Sequence, residues 1–115
     1  MNKEIMDATE ALRDTVRASK EYAEYQRCRK QVEEDPELLS AVEEYRQRAF
    51  RFQNSDDIPD RDAERAALVD MMNRLRRSPA ADAYFRSEVR MCRILQHTAD
   101  MVLDPLDLHT EVTDV

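Results

Sequence analysis

Apolar and polar positions alternate along most of the chain with the period of an α-helix. Ile5, Thr9, Leu12 and Val16 recur at intervals of three and four, which predicts a helix over about residues 3–17 with a charged opposite face. Ser19 can cap a new turn, and the pattern continues through Tyr22, Tyr25, Arg29 and Val32, so a kink at Ser19 is expected rather than a full break. Asp35-Pro36 is a corner. The Asp35 carboxylate can accept from free amides of the next turn, while Pro36 fits the first helical position and keeps Asp35 out of helical geometry. Beyond it, Leu38, Val42, Tyr45, Ala49 and Phe52 form a stripe widened by Leu39 and Phe50. Turn formers from Asn54 to Asp60 mark a loop. Asp60 or Ser55 can then start a helix carrying Ala67, Leu68, Met71, Met72 and Leu75. Ser78-Pro79 repeats the cap-and-proline device, and a last helix to Leu103 places Phe85, Val89, Cys92, Leu95, Ala99 and Val102 on one face before Asp104-Pro105 ends it. At an offset of 59 residues, Leu12, Val16, Ser19, Tyr25 and Val32 correspond to Met71, Leu75, Ser78, Tyr84 and Met91, a weak internal repeat.

The fold class this implies is all-α, built of helical hairpins from four to five amphipathic helices. Residues 1–103 make one domain, and residues 104–115 form an acidic tail. Composition adds a constraint. Leu, Ile, Val and Phe number only 23 of 115 residues, near the level below which chains stay disordered, whereas glycine is absent and proline scarce. Well-formed stripes with so little core point to a core completed by a second copy, through the hairpin centred on Asp35-Pro36. The expected interface residues are Tyr22, Tyr25, Leu38, Val42, Tyr45, Phe50, Phe52 and Tyr84.

The net charge of -7 argues against general affinity for nucleic acid. Four of the seven net negative charges, Asp104, Asp107, Glu111 and Asp114, fall in the tail, which has no Lys or Arg. No stretch has the apolar length of a membrane span, and the N-terminus lacks the apolar core of a secretory signal, so a cytoplasmic, reduced location is expected.

Candidate chemistry is sparse. Cys28 and Cys92 are the only thiols and read as small apolar residues on helix faces. They are weak metal candidates, since an iron–sulfur cluster commonly takes four thiolates and two per chain suffice only across a dimer. His97 lies five positions after Cys92 and does not share its face. No cofactor is expected. Arg86, Arg90 and Arg93, with His97, make a basic stripe on the last helix, and Arg74, Arg76 and Arg77 sit just upstream. Such a stripe can hold phosphates, or it can be a solvated face paired with acids such as Asp82. A phosphate loop needs glycine, and no paired carboxylates or nucleophile–base spacing stand out, so the residues point away from an enzyme.

Several stretches together resemble the YlbF/YmcA family of small bacterial helical proteins: Ala11-Leu12, the run from Ser19 to Tyr25, the Glu34-Asp35-Pro36-Glu37 corner, Phe50 to Gln53, and Leu75 to Pro79 leading to Tyr84. The resemblance covers roughly residues 3–103 and rests on packing and capping features. It implies an all-helical, self-associating protein. Some members regulate competence, sporulation and biofilm formation with a third protein, in a complex that carries iron–sulfur clusters and influences the endoribonuclease RNase Y. The tail here has no cysteine, which removes cluster ligation from that segment. The expected function is that of a non-enzymatic regulatory or adaptor protein acting through protein–protein contacts, with itself and with related helical proteins or an RNA-processing complex. The alternatives are an RNA-binding accessory module using the arginine stripe and an iron–sulfur scaffold.

Overall fold

Each helix starts where a side chain can take up the amides its first turn leaves free. The computed structural model describes residues 2–104, in which five helices run in order: α1 (Lys3–Arg17), α2 (Lys20–Glu33), α3 (Pro36–Asn54), α4 (Arg61–Leu75) and α5 (Pro79–Leu103). Their caps are Asn2, Ser19, Asp35, Asp60 and Ser78, and every one accepts from a backbone amide two or three residues on. Pro36 and Pro79 occupy the first helical position, where no donor is lost. There is no strand among the described residues.

At Ser19 the structure shows a full break instead of the expected kink. Its backbone is extended, at φ -73° and ψ 154°. The hydroxyl donates to the Val16 carbonyl at 2.6 Å and accepts from the Tyr22 amide at 3.2 Å, so one side chain serves both helix ends and makes the interruption inexpensive. Freed from α2, α1 buries none of its residues.

The principal helix contact joins α2 to α5, and α3 packs next against α4. Cys28, Val32, Val42, Leu75, Ala81, Tyr84 and Phe85 form the buried cluster. The internal repeat is visible in three dimensions. Ser19 and Ser78 cap α2 and α5 alike, and their amides return to the Val16 and Leu75 carbonyls at 3.1 and 3.0 Å. Tyr25 and Tyr84, at equivalent positions, meet with ring centroids 5.8 Å apart, while Cys28 and Ser87, also equivalent, are both buried. Like residues meeting like is the signature of an interface with approximate twofold symmetry, here within one chain.

The expected α5 face is covered only in part. Phe85 is buried as expected, together with Ala81, Tyr84, Ser87 and Met91, whereas Val89, Cys92, Leu95 and Val102 are exposed. The buried set lies on the side where alanine and serine let α2 approach closely, a criterion that apolar periodicity does not contain. Ser87 still satisfies its hydroxyl by donating to the Tyr84 carbonyl at 2.7 Å.

Two measurements place much of the chain outside the core. The radius of gyration is 18.1 Å, against about 13 Å for a compact chain of this length. The accessible surface is 9425 Å², against about 6500 Å² for a compact monomer of this mass. α1 and the distal half of α5 are the projecting parts. The acidic tail beyond Asp104 lies outside the described residues.

Ala81 has no accessible surface, so Ala81→Leu overpacks the α2–α5 contact and should lower the unfolding free energy by about 1–3 kcal/mol in urea titrations. Ala66→Leu, on the exposed side of α4, should change it by less than about 0.5 kcal/mol. The Tyr25 phenol is pushed up to about 12 by burial and by the neighbouring Tyr84 phenol. Below the ordinary tyrosine value near 10 the proton is held in folded and unfolded chains alike. Between 10 and 12 the unfolded chain loses it first, so stability falls as pH rises. Following phenolate absorbance and melting temperature together, Tyr25→Phe should remove the phenol held to about pH 12 and lessen the alkaline loss of stability.

Candidate functional site

Where α2, α3 and α5 converge, the Tyr25 and Tyr84 rings wall an open cleft of about 570 Å³. Its charges come from residues placed one or two turns apart on separate helices: Arg29 and Glu33 from α2, Glu43 and Arg46 from α3, and Glu88 from α5. Arg29 Nε donates to Glu33 Oε1 at 2.7 Å, and Arg46 Nη2 donates to Glu88 Oε2 at 2.6 Å. Burial alone would pull the Arg46 guanidinium down. The Glu88 carboxylate outweighs that and holds it above its ordinary value. Arg46 also lies 5.4 Å from the centre of the Tyr84 ring, so one side chain ties α3 to both the acid and the aromatic of α5. With its cations already neutralised, the cleft fastens three helices and offers little unpaired charge to a ligand.

A second junction closes the end of α3. Arg61 donates to the Phe52 carbonyl at 2.8 Å and to the Ser55 carbonyl at 3.1 Å, and its guanidinium stacks 4.3 Å above the Phe52 ring. Arg48 of α3 pairs with Glu64 of α4 and reaches the Met71 sulfur. These cross-helix ties were absent from the sequence reading, because their partners lie too far apart for any helical spacing to signal them.

Of the expected interface residues, Val42 and Tyr84 belong to the chain's own core and line the cleft between α2, α3 and α5. Tyr22, Tyr25, Leu38, Tyr45 and Phe52 are half-buried, and Phe50 alone stands out, at 68% exposure. The large uncovered apolar surface lies elsewhere. On α1 it comprises Ile5 at 59%, with Met6 and Leu12, and on distal α5 it comprises Leu95 at 51% and Val102 at 59%, with Met101. On a helical wheel Leu95 and Val102 continue the line of Tyr84 and Met91 past the end of the α2 contact. α5, with 25 residues against 14 in α2, carries its inner face out beyond its neighbour.

The two thiols have different surroundings. Cys28 is buried and its Sγ lies 3.7 Å from Glu24 Oε1, whereas Cys92 is exposed, contrary to its reading as a covered apolar position. It lies two turns beyond the buried Phe85 on the same side of α5. Among the described residues no group of three or more His, Cys, Asp or Glu side chains is placed to hold a metal ion. Arg86, Arg90 and Arg93 are all exposed on α5, with Arg86 Nε 2.9 Å from Asp82 Oδ2.

Among the described residues, no helix is long and apolar enough to cross a membrane. No curated protein and no solved structure matches the chain. A family model described as "Control of competence regulator ComK, YlbF/YmcA" matches residues 5–107, which take in all five helices but the first two residues of α1. The cap at Ser19, the Asp35-Pro36 corner and the Ser78-Pro79 start thus fall within one continuous match, and the chain belongs to the YlbF/YmcA family.

Proposed function

We propose that this protein is a non-enzymatic regulator or adaptor that works through protein–protein contacts, and that its first partner is a second copy of itself. The observation that carries this reading is the pair of uncovered apolar faces on α1 and distal α5, in a chain whose surface far exceeds that of a compact monomer. Membership of a family named for control of a competence regulator supports the regulatory half of the proposal. The apolar surface supports the contact half. Covering roughly 200 Å² of it on each of two subunits contributes on the order of 10 kcal/mol before the costs of association. That is comparable to the whole stability of a small domain, so folding and pairing are coupled.

The uncovered faces lie at α1 and distal α5, away from the Asp35-Pro36 hairpin, and α1 is the helix most in need of a cover. Its counterpart in the internal repeat, α4, has one in α3. Pairing two copies so that each α1 lies against the other's distal α5 gives both faces an apolar neighbour by a single twofold operation.

Sedimentation equilibrium and melting at several concentrations test the proposal. The wild-type chain should be dimeric at micromolar concentration, with a melting temperature that rises with concentration. Leu12→Asp and Leu95→Asp should each weaken the dimer at least about tenfold, equivalent to 1.4 kcal/mol, whereas Phe50→Asp should leave it unchanged. A cooperatively melting monomer at every concentration would remove self-association. Weakening by Phe50→Asp alone would return the contact to the end of α3.

A further inference from the structure

Where α4 turns into α5, four arginines converge on one concave surface of about 390 Å³: Arg76 from the end of α4, and Arg86, Arg90 and Arg93 from α5, around Val89. Two of them are fixed by a shared acid. Arg76 Nη1 lies 3.3 Å from Asp82 Oδ1 and Arg86 Nε 2.9 Å from Asp82 Oδ2, while the Arg76 guanidinium lies 5.9 Å from the centre of the buried Phe85 ring. Arg90 and Arg93 have no carboxylate within ion-pair distance among the described residues. Four cations meet one carboxylate in direct contact, with Glu24 of α2 near enough to Arg90 to interact with it, which leaves a positive cleft in a chain whose net charge is -7. Such an excess of positive charge is an electrostatic cost, since like charges held together repel.

We propose that this cleft is a binding site for a compact oligophosphate group of the pyrophosphate class, carried by a free anion or by the phosphate end of a nucleotide. The local charge selects for it. A compact, multiply charged anion complements the cleft, and four guanidinium forks can donate to several phosphoryl oxygens at once. A single phosphate would satisfy two arginines and leave the others repelling. The lining selects against a nucleic-acid strand. Proteins that hold single strands combine a basic track with exposed aromatic rings for the bases, whereas here the lining is arginine and valine, with Phe85 buried beneath. The acidic balance of the rest of the chain also repels a long polyanion. Arg86, Arg90 and Arg93 lie on the side of α5 opposite Leu95 and Val102, so this site and the apolar face can be occupied together.

Titration of the full chain at fixed, near-physiological ionic strength, read by calorimetry and by arginine Nε–H resonances, tests the assignment. Pyrophosphate should bind at least about tenfold more tightly than orthophosphate, the difference expected when an added phosphoryl group gains charge-assisted hydrogen bonds. The shifts should be confined to Arg76, Arg86, Arg90 and Arg93. Arg90→Gln with Arg93→Gln should abolish the preference and leave melting and oligomeric state unchanged, while Arg17→Gln, on α1, should leave binding intact. ATP binding as tightly as pyrophosphate would identify the phosphate group alone as the ligand. Tighter ATP binding would identify the phosphate end of a nucleotide. The assignment is overturned by absence of binding at millimolar pyrophosphate, by equal binding to the double variant, or by an RNA oligonucleotide that pyrophosphate fails to displace.

Discussion

The close approach of α2 and α5 is the constraint on which the other contacts depend. It requires small side chains where the helices meet, and Cys28, Ala81 and Ser87 supply them, all buried, so that the Tyr25 and Tyr84 rings can meet beside them. Once those rings are in place, Arg46 finds a ring to lie on and an acid, Glu88, one turn further along α5. α3 is thereby fixed against α5, Tyr45 reaches the edge of Phe85, and α4 is held against α3 through Arg48 and Glu64. Every helix but α1 is thus referred to one pair of helices.

That arrangement leaves α5 serving three surroundings along its length and around its circumference. Its first half packs on α2, its second half extends the same apolar line into the open, and its far side carries three arginines. Charge is sorted in a similar way. The body of the chain is close to balanced, with many exposed ion pairs within single helices that contribute little individually, while a positive cleft and an acidic terminal sequence stand at opposite extremes. The short core and the long surface follow from the same composition: apolar residues are sufficient to join α2, α3, α4 and α5, and those on α1 and distal α5 are left over.

Local chemistry was legible in the sequence. Asp35 and Ser78 with the prolines that follow them, and Asp60 as one of two candidates, announced helix starts because a cap acts within three residues of itself. Ser19 was legible as a cap, but its second bond, back to Val16, turned a kink into a break and is invisible to pattern. The inward side of α5 was legible only in part. Phe85 stood on the expected stripe, whereas Ala81, Ser87 and Met91 did not, and what covers them is the approach of α2, more than fifty residues away. The same holds for the cysteines. Cys28 lies at the α2–α5 contact and Cys92 does not, although their own neighbourhoods in sequence are alike. Of the candidate sites, the basic stripe was legible on α5 itself, whereas Arg76 joined it only through the geometry of the turn.

The distance in sequence between Tyr25 and Tyr84 has a consequence during synthesis. Hairpins such as α2–α3 and α3–α4 bring together neighbours in sequence and close soon after they leave the ribosome, but α2 cannot bury Tyr25, Cys28 and Val32 until α5 emerges. At translation rates of about 5–20 residues per second, the intervening chain takes roughly 3–12 s to appear. Throughout that interval the nascent α2 offers an apolar, tyrosine-bearing face to whatever α5 is nearest, including one from a neighbouring ribosome on the same message. Because a second copy's α5 carries the same residues as the chain's own, exchange of α5 between nascent chains is the misassembly that this order of synthesis exposes.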